Sequence, residues 1–244
     1  MTSTSHSEPL PRVIRRGGAC KPEIRLEAID GAHALVKDFA VCGRWFRWLI
    51  GRWLVGRECR VLQAAKGIPG VPRLVARLSP YAIAVEHVGR SIAVMEPEEL
   101  PSNLWPDLER IIDDLHDRGI AHADLKTLEN ILIDESGAVH VVDFNSAVVR
   151  NGPLFRFIFP YVSADDRRAI VKAKLELQPH LVTPEDEAFL NERPWIERVF
   201  RRARRPVRRL AKWLGGRPAE PGPGRPSVQR RKQREAALRR DPPA

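Results

Sequence analysis

Apolar and polar positions alternate with period two through three early stretches: PRVIRR up to Gly17-Gly18, PEIRLEAI up to Asp30-Gly31, and HALVKDF. An Asp-Gly pair between alternating runs predicts a hairpin, because the turns that suit twisted strands need residues tolerant of positive φ. Three short strands are therefore expected over residues 12–39. The period then lengthens. Trp45, Phe46, Leu49, Ile50, Trp53 and Leu54 recur at the spacing of one helical face, with Arg44, Arg47 and Arg52 largely elsewhere, and predict a helix over 44–66 that stops at Gly67. YAIAVEHV is a continuous apolar run and reads as a buried strand. In WPDLERIIDDLHDRG, Leu108, Ile111, Ile112 and Leu115 form an i, i+3, i+4, i+7 stripe, with Pro106 in the first turn and Gly119 at the end. ILID and VHVVDF read as strands about a turn at Glu135–Gly137, followed by helices near 165–177 and 184–191, the second capped by Thr183 with Pro184 as its first residue.

This order predicts an α+β fold of two lobes: a small β-rich unit with one helix over 12–90, then a short, mostly helical unit over 91–200, with a ligand cleft between them. Residues 1–11 are expected to be disordered. Composition adds a tail to this picture. The chain has 244 residues, 43% of them hydrophobic, and a net charge of +10. Residues 201–244 hold 15 Lys/Arg against 3 Asp/Glu, which leaves 26 basic and 28 acidic groups elsewhere. The folded body is thus nearly neutral, and the basicity belongs to a Pro/Gly-rich tail expected to be largely disordered. Cys20, Cys42 and Cys59 have neither metal-ligand spacing nor an even count for a disulfide framework, so reduced thiols in a cytoplasmic protein are expected. The N-terminus lacks an apolar signal core, and WFRWLIGRWLVG is broken by Arg47 and Arg52, so no membrane span is expected.

The densest chemistry lies in HADLKTLENILIDESGAVHVVDF, residues 122–144. Phosphoryl transfer needs a carboxylate at the attacking hydroxyl, hard oxygen ligands for Mg²⁺, and a cation on the non-reacting phosphates. Asp124, Asn130 and Asp143 supply such oxygens, and a short hairpin would return 124–130 beside 143. The segment resembles the catalytic and metal-binding loops of the protein-kinase-like superfamily, H-R-D-L-K-x-x-N-I-L followed by D-F-G. His122, Asp124, Leu125, Lys126, Asn130, Ile131 and Leu132 match in order, and Asp143-Phe144 matches the second loop. The resemblance implies Asp124 as catalytic base, Asn130 and Asp143 as Mg²⁺ ligands, Lys126 near the transferred phosphate and His122 as a structural brace. It also implies Lys37 and Glu58 as the strand Lys and helix Glu of the ATP site, with backbone groups of Glu86–Val88 on the adenine.

The match has departures. Asp124 and Asn130 stand six apart instead of five, which places one extra residue between Lys126 and Glu129. Ala123 replaces the usual Arg, and Asn145 replaces the Gly after Asp-Phe; together these imply a site without a phosphorylated, swinging activation loop. No G-x-G-x-x-G occurs, so Gly17-Gly18, with Lys21 nearby, is either a phosphate cradle or a plain hairpin turn. No A-P-E follows Asp143. The compact layout resembles kinases of lipopolysaccharide-core sugars (Kdo or heptose) and RIO-type kinases, which implies ATP-dependent transfer to a sugar hydroxyl at the cytoplasmic membrane face. A RIO-like protein serine/threonine kinase and a kinase-fold binding protein are the alternatives. GRWFRWLIGRWLVGR, and more weakly residues 197–214, combine Trp and Arg as an anionic membrane surface requires, although core packing accounts for the first equally well. The tail could also meet nucleic-acid phosphates, without sequence recognition.

Overall fold

A computed structural model describes residues 11–192 of the chain. The expected disorder of 1–11 and the basic tail from 201 onward lie outside the described residues, apart from Pro11. The first three strands are β1 (Arg12–Arg15), β2 (Glu23–Ile29) and β3 (Ala32–Asp38). Asp30 and Gly31 both take positive φ, 51° and 79°, as a tight hairpin requires. A short helix α1 (Arg44–Phe46) passes through a π-helical turn (Arg47–Gly51) into α2 (Arg52–Ala64). The predicted helix over 44–66 is therefore continuous but not regular.

Next comes β4 (Leu74–Ser79), which the apolar pattern did not reveal, and then β5 (Ala82–Glu86). The five strands form one antiparallel sheet in the order β1-β2-β3-β5-β4. β4 is an edge strand with no fully buried residue, and the apolar residues of LVARLS do not alternate with polar ones, so it shows no period-two signal. β3 shows the alternation that matters most. Ala34 and Val36 pack on one face with Ala84, whereas Leu35 and Lys37 face the opposite side.

The chain then forms β6 (Arg90–Ser91), α3 (Leu104–Asp117) and β7 (Ile120–Ala121). Pro106 is the third residue of α3, where a missing N–H costs nothing, and Gly119 ends the helix at φ 72°. β8 (Ile131–Ile133) and β9 (Val139–Val141) make the expected hairpin and pair with β6, while β10 (Val148–Val149) pairs with β7. The helix expected over 165–177 is longer: α4 runs Gly152–Leu177 with Pro160 inside it. α5 (Pro184–Asn191) starts at a capping box, in which Thr183 and Asp186 bond each other's backbone amides at 3.2 Å.

A single hydrophobic cluster runs from Val55, Val61 and Leu62 of α2 through Leu108, Ile111 and Leu115 of α3 to Ile170 of α4. The architecture is α+β, a β-rich N-terminal sheet followed by helices, and is compatible with the small two-lobed fold expected. No helix among the described residues is long and apolar enough to cross a membrane.

Candidate active site

Lys37 and Glu58, whose pairing the sequence left open, form an ion pair. Lys37 Nζ donates to Glu58 Oε1 at 2.6 Å and to Asp143 Oδ1 at 3.1 Å, joining β3, α2 and the segment after β9. Lys37 and Glu58 are 7% and 2% exposed, so the charges hold one another out of water. Burial pulls the Lys37 ammonium down, but Glu58 and Asp143 more than reverse this and its pKa is raised. Burial raises the Glu58 carboxyl, against the opposing effect of Lys37. Burial also acts to raise Asp143, yet Lys37 outweighs it and holds that carboxyl below its usual range.

A cleft of about 270 Å³ opens at this junction. Lys37, Glu58, Asn130 and Asp143 line one end of it, and Glu86 to Gly89 the other, with Arg15 and Ile24 beside them. Larger hollows of about 520 and 870 Å³ lie at the end of α2 and behind residues 86–90, but neither contains Lys37, Asn130 or Asp143. Of the adenine-facing backbone expected at Glu86–Val88, the Glu86 amide donates to the Arg73 carbonyl at 2.9 Å and the His87 amide to the His33 carbonyl at 3.3 Å. The Val88 amide is unbonded among the described residues, so within this span Val88 carries the free donor. Gly17 and Gly18 do not line the cleft. A side chain at Gly17 would run into Val41 and stand 3.0 Å from the Glu23 amide, and Gly18 exchanges backbone bonds with Lys21 at 2.9 and 3.3 Å. Close packing accounts for Gly17, whereas a side chain at Gly18 would meet open space.

Asp124, Lys126 and Asn130 sit on the loop between β7 and β8. The pairing of β7 with β10 and of β8 with β9 brings this loop beside Asp143, as the expected hairpin required. The Asn130 side-chain amide donates to the Asp124 carbonyl at 3.0 Å, which turns its own oxygen away from that contact. At Asp143, both Lys37 and Asn145 Nδ2 (2.7 Å) use Oδ1, so Oδ2 keeps its lone pairs. One amide oxygen and one carboxylate oxygen are thus left for a hard cation that retains water and phosphate ligands, a set that fits Mg²⁺.

Several contacts were not foreseen. Thr127 Oγ1 donates to Asp124 Oδ1 at 3.0 Å, so the lengthened loop lays a hydroxyl on the expected base. Lys126 Nζ pairs with both oxygens of Asp165 on α4, at 2.8 and 2.6 Å, and is half exposed. Asp166, 1% exposed, accepts from the His122 amide at 2.7 Å and the Ala123 amide at 2.8 Å, and meets His116 Nε2 at 3.2 Å. Ala123 has φ 66°, a left-handed conformation that an L-residue adopts at a cost of about 1–2 kcal/mol, so Asp166 pins a strained loop. Its sequence signal was a carboxylate on the apolar stripe of α4, among Val162, Ala169, Ile170 and Ala173.

His122 is fully buried. Its Nε2 bonds the Val142 carbonyl at 2.9 Å, and its Nδ1 accepts from the Asp124 amide at 3.3 Å. A carbonyl can only accept, so the ring is the neutral Nε2–H tautomer. Desolvation lowers its pKa despite the nearby carboxylates. The ring also stands edge-on to Phe144 at 5.0 Å, tying the two loops together.

No protein-family profile matches the chain. It is 46% identical over 48 residues to the serine/threonine-protein kinase PSK1 of Saccharomyces cerevisiae, covering 19% of this chain and 4% of that protein. It is 26% identical over 117 residues to the serine/threonine-protein kinase 1 of African swine fever virus, covering 43% of this chain and 39% of that protein. The chain therefore spans well under half the length of each relative. Over these partial spans it is similar to serine/threonine protein kinases, the superfamily that the residues of the two loops resemble.

Proposed function

We propose that the chain is an ATP-dependent phosphotransferase that moves the γ-phosphoryl group to a hydroxyl. The observation that carries this reading is the convergence of Lys37, Glu58 and Asp143 at one end of a cleft, with Asn130 and Asp124 on the adjoining loop.

In this reading the Val88 amide binds the adenine edge, and Lys37, held by Glu58, faces the non-reacting phosphates. Asn130 and Asp143 would hold Mg²⁺, which when bound neutralises phosphate charge. The Asp124 carboxylate orients the acceptor hydroxyl and takes its proton. The acceptor oxygen bonds to the γ-phosphorus, the bond from that phosphorus to the β–γ bridging oxygen breaks, and ADP leaves with the electron pair. Lys126 exchanges Asp165 for the transferred phosphoryl group as charge develops there.

The acceptor has two readings. A protein serine or threonine is favoured by what the two relatives are called. A lipid-linked sugar such as the lipopolysaccharide core, the narrower expectation from the sequence, is favoured by the outward-facing Trp and Arg residues between Arg44 and Trp53. The test is Mg²⁺-dependent ATP turnover in wild type against Asp124→Ala, with labelled-phosphate transfer to a protein mixture and to core oligosaccharide in parallel. Loss of turnover in Asp124→Ala supports the proposal. Equal turnover in both proteins refutes the catalytic assignment, and absence of turnover in wild type favours a nucleotide-binding protein.

A further inference from the structure

The helix that leaves β3 carries its largest apolar residues outward. Phe46 and Leu54 lean on the core, and Gly51 is packed so closely that a Cβ there would stand 3.0 Å from Phe39. One position before each of Phe46, Ile50 and Leu54, about 100° round the helix, come Trp45, Leu49 and Trp53. These three are 85%, 66% and 52% exposed, and Trp48 beside them is 60% exposed. The sequence placed Trp45, Leu49 and Trp53 on one apolar arc with Phe46, Ile50 and Leu54, and left open whether it packs inward or faces out. Only the inner edge of that arc is covered, because one small sheet cannot reach around six bulky residues.

Charge selects what could cover the outer edge. From Phe39 to Arg57 there is no Asp or Glu, while Arg44 and Arg52 are exposed and have no ion pair among the described residues. A second copy of this face would set like charges together. Residues 201–244 carry a surplus of 12 positive charges, so the chain's own tail is not complementary either. The occupant is anionic and must accept three indole rings. Indoles settle at the boundary of headgroup and acyl chain, where guanidinium groups meet lipid phosphate.

We propose that the face formed by Trp45, Trp48, Leu49, Trp53, Arg44 and Arg52 docks on an anionic bilayer surface. The rings enter the headgroup layer and the two free guanidinium groups bind its phosphates. Docking would orient the cleft at Lys37 relative to the bilayer, since Lys37 holds Glu58 on the same helix. The inference does not depend on the phosphotransferase reading.

The full chain is tested for co-sedimentation with vesicles of phosphatidylcholine alone and mixed with phosphatidylglycerol. The proposal expects binding to the mixed vesicles, and a loss of at least about tenfold in Trp45→Ala/Trp48→Ala/Trp53→Ala, because the basic tail alone is a single electrostatic signal. In a Trp195→Phe/Trp213→Phe background, lipids brominated near the headgroup should quench Trp emission, but not once Trp45, Trp48 and Trp53 are also replaced, which leaves the buried Trp105. If the triple variant unfolds at lower temperature, Arg44→Glu/Arg52→Glu takes its place and must lose binding at unchanged Tm. Equal binding by variant and wild type, or no quenching, overturns the proposal. So does finding that the same variants abolish self-association or nucleic-acid binding while vesicle binding persists.

Discussion

Replacing Asp166 by Ala tests the brace beneath the loop of Asp124. The change orphans the buried His122 amide, at about 1–3 kcal/mol, and the half-buried Ala123 amide, at the lower end of that range. Ala123, at φ 66°, also loses the contact that holds it in a left-handed conformation. Relief of the burial of the carboxylate itself offsets part of this. A net destabilisation of about 2–5 kcal/mol follows, which at a urea m-value near 2 kcal/mol/M lowers the midpoint by about 1–2.5 M. Phosphoryl transfer by the fraction still folded should drop by about a hundredfold, because a displacement of about 1 Å at the base is enough for that. Asp166→Asn keeps one acceptor but turns an NH₂ group toward the second amide, so it should recover only part of either loss. His116→Ala is the control: it removes the 3.2 Å contact and leaves both amides bonded, so activity should persist. Urea unfolding followed by circular dichroism, with turnover measured on the same samples, reads both effects. An Asp166→Ala protein with unchanged midpoint and unchanged turnover would refute the brace.

Other perturbations probe separate parts of the site. Lys37→Met leaves Glu58 buried without its partner and should cost about 3–5 kcal/mol, whereas adding Glu58→Leu should restore stability but not turnover. Thr127→Val removes the hydroxyl from Asp124 Oδ1; kcat should change about tenfold, the worth of about 1.4 kcal/mol, with Thr127→Ser close to wild type. His122 has a lowered folded pKa, so its neutral form is the native one, and its contribution is complete above its unfolded pKa of about 6.5. Stability should therefore fall as pH drops below that value, by at most about 1.4 kcal/mol per pH unit from this group, and the slope between pH 7 and 5 should flatten in His122→Gln. Gly89→Ala puts a Cβ into the Ile133 carbonyl and 2.8 Å from the Asp134 amide, so it should both lower Tm and weaken nucleotide binding by shifting Val88.

Much of the fold was legible because it depends on local rules. The Asp30-Gly31 hairpin, the stripe of α3, the Thr183 cap and the β8–β9 hairpin each follow from residues within one or two turns of one another. The misses have equally local causes. The first half of α4 was hidden by Pro153 and Pro160. Pro153 stands where the helix has no bond to lose, and Arg156, whose carbonyl Pro160 leaves without its helical donor, is exposed to water. β4 was hidden because its apolar residues, Leu74, Val75, Ala76 and Leu78, do not alternate with polar ones. For Trp45, Leu49 and Trp53 the sequence left core packing and an outward face both open, because periodicity gives the width of an apolar arc, not how much of it a neighbour covers.

The sequence by itself determined which residues could do the chemistry. Asp124, Asn130 and Asp143 are marked by order and spacing about one hairpin, and Lys37 by what the resemblance to the protein-kinase-like superfamily implies. Tertiary structure decided which of them meet. That Lys37 binds both Glu58 and Asp143 depends on how β3, α2 and the loop after β9 pack over separations of 21 and 106 residues, and chain-local spacing carries no information on such contacts. Asp166 makes the same point. Its bonds reach back 44 and 43 residues to amides of a loop whose strain exists only in the folded chain.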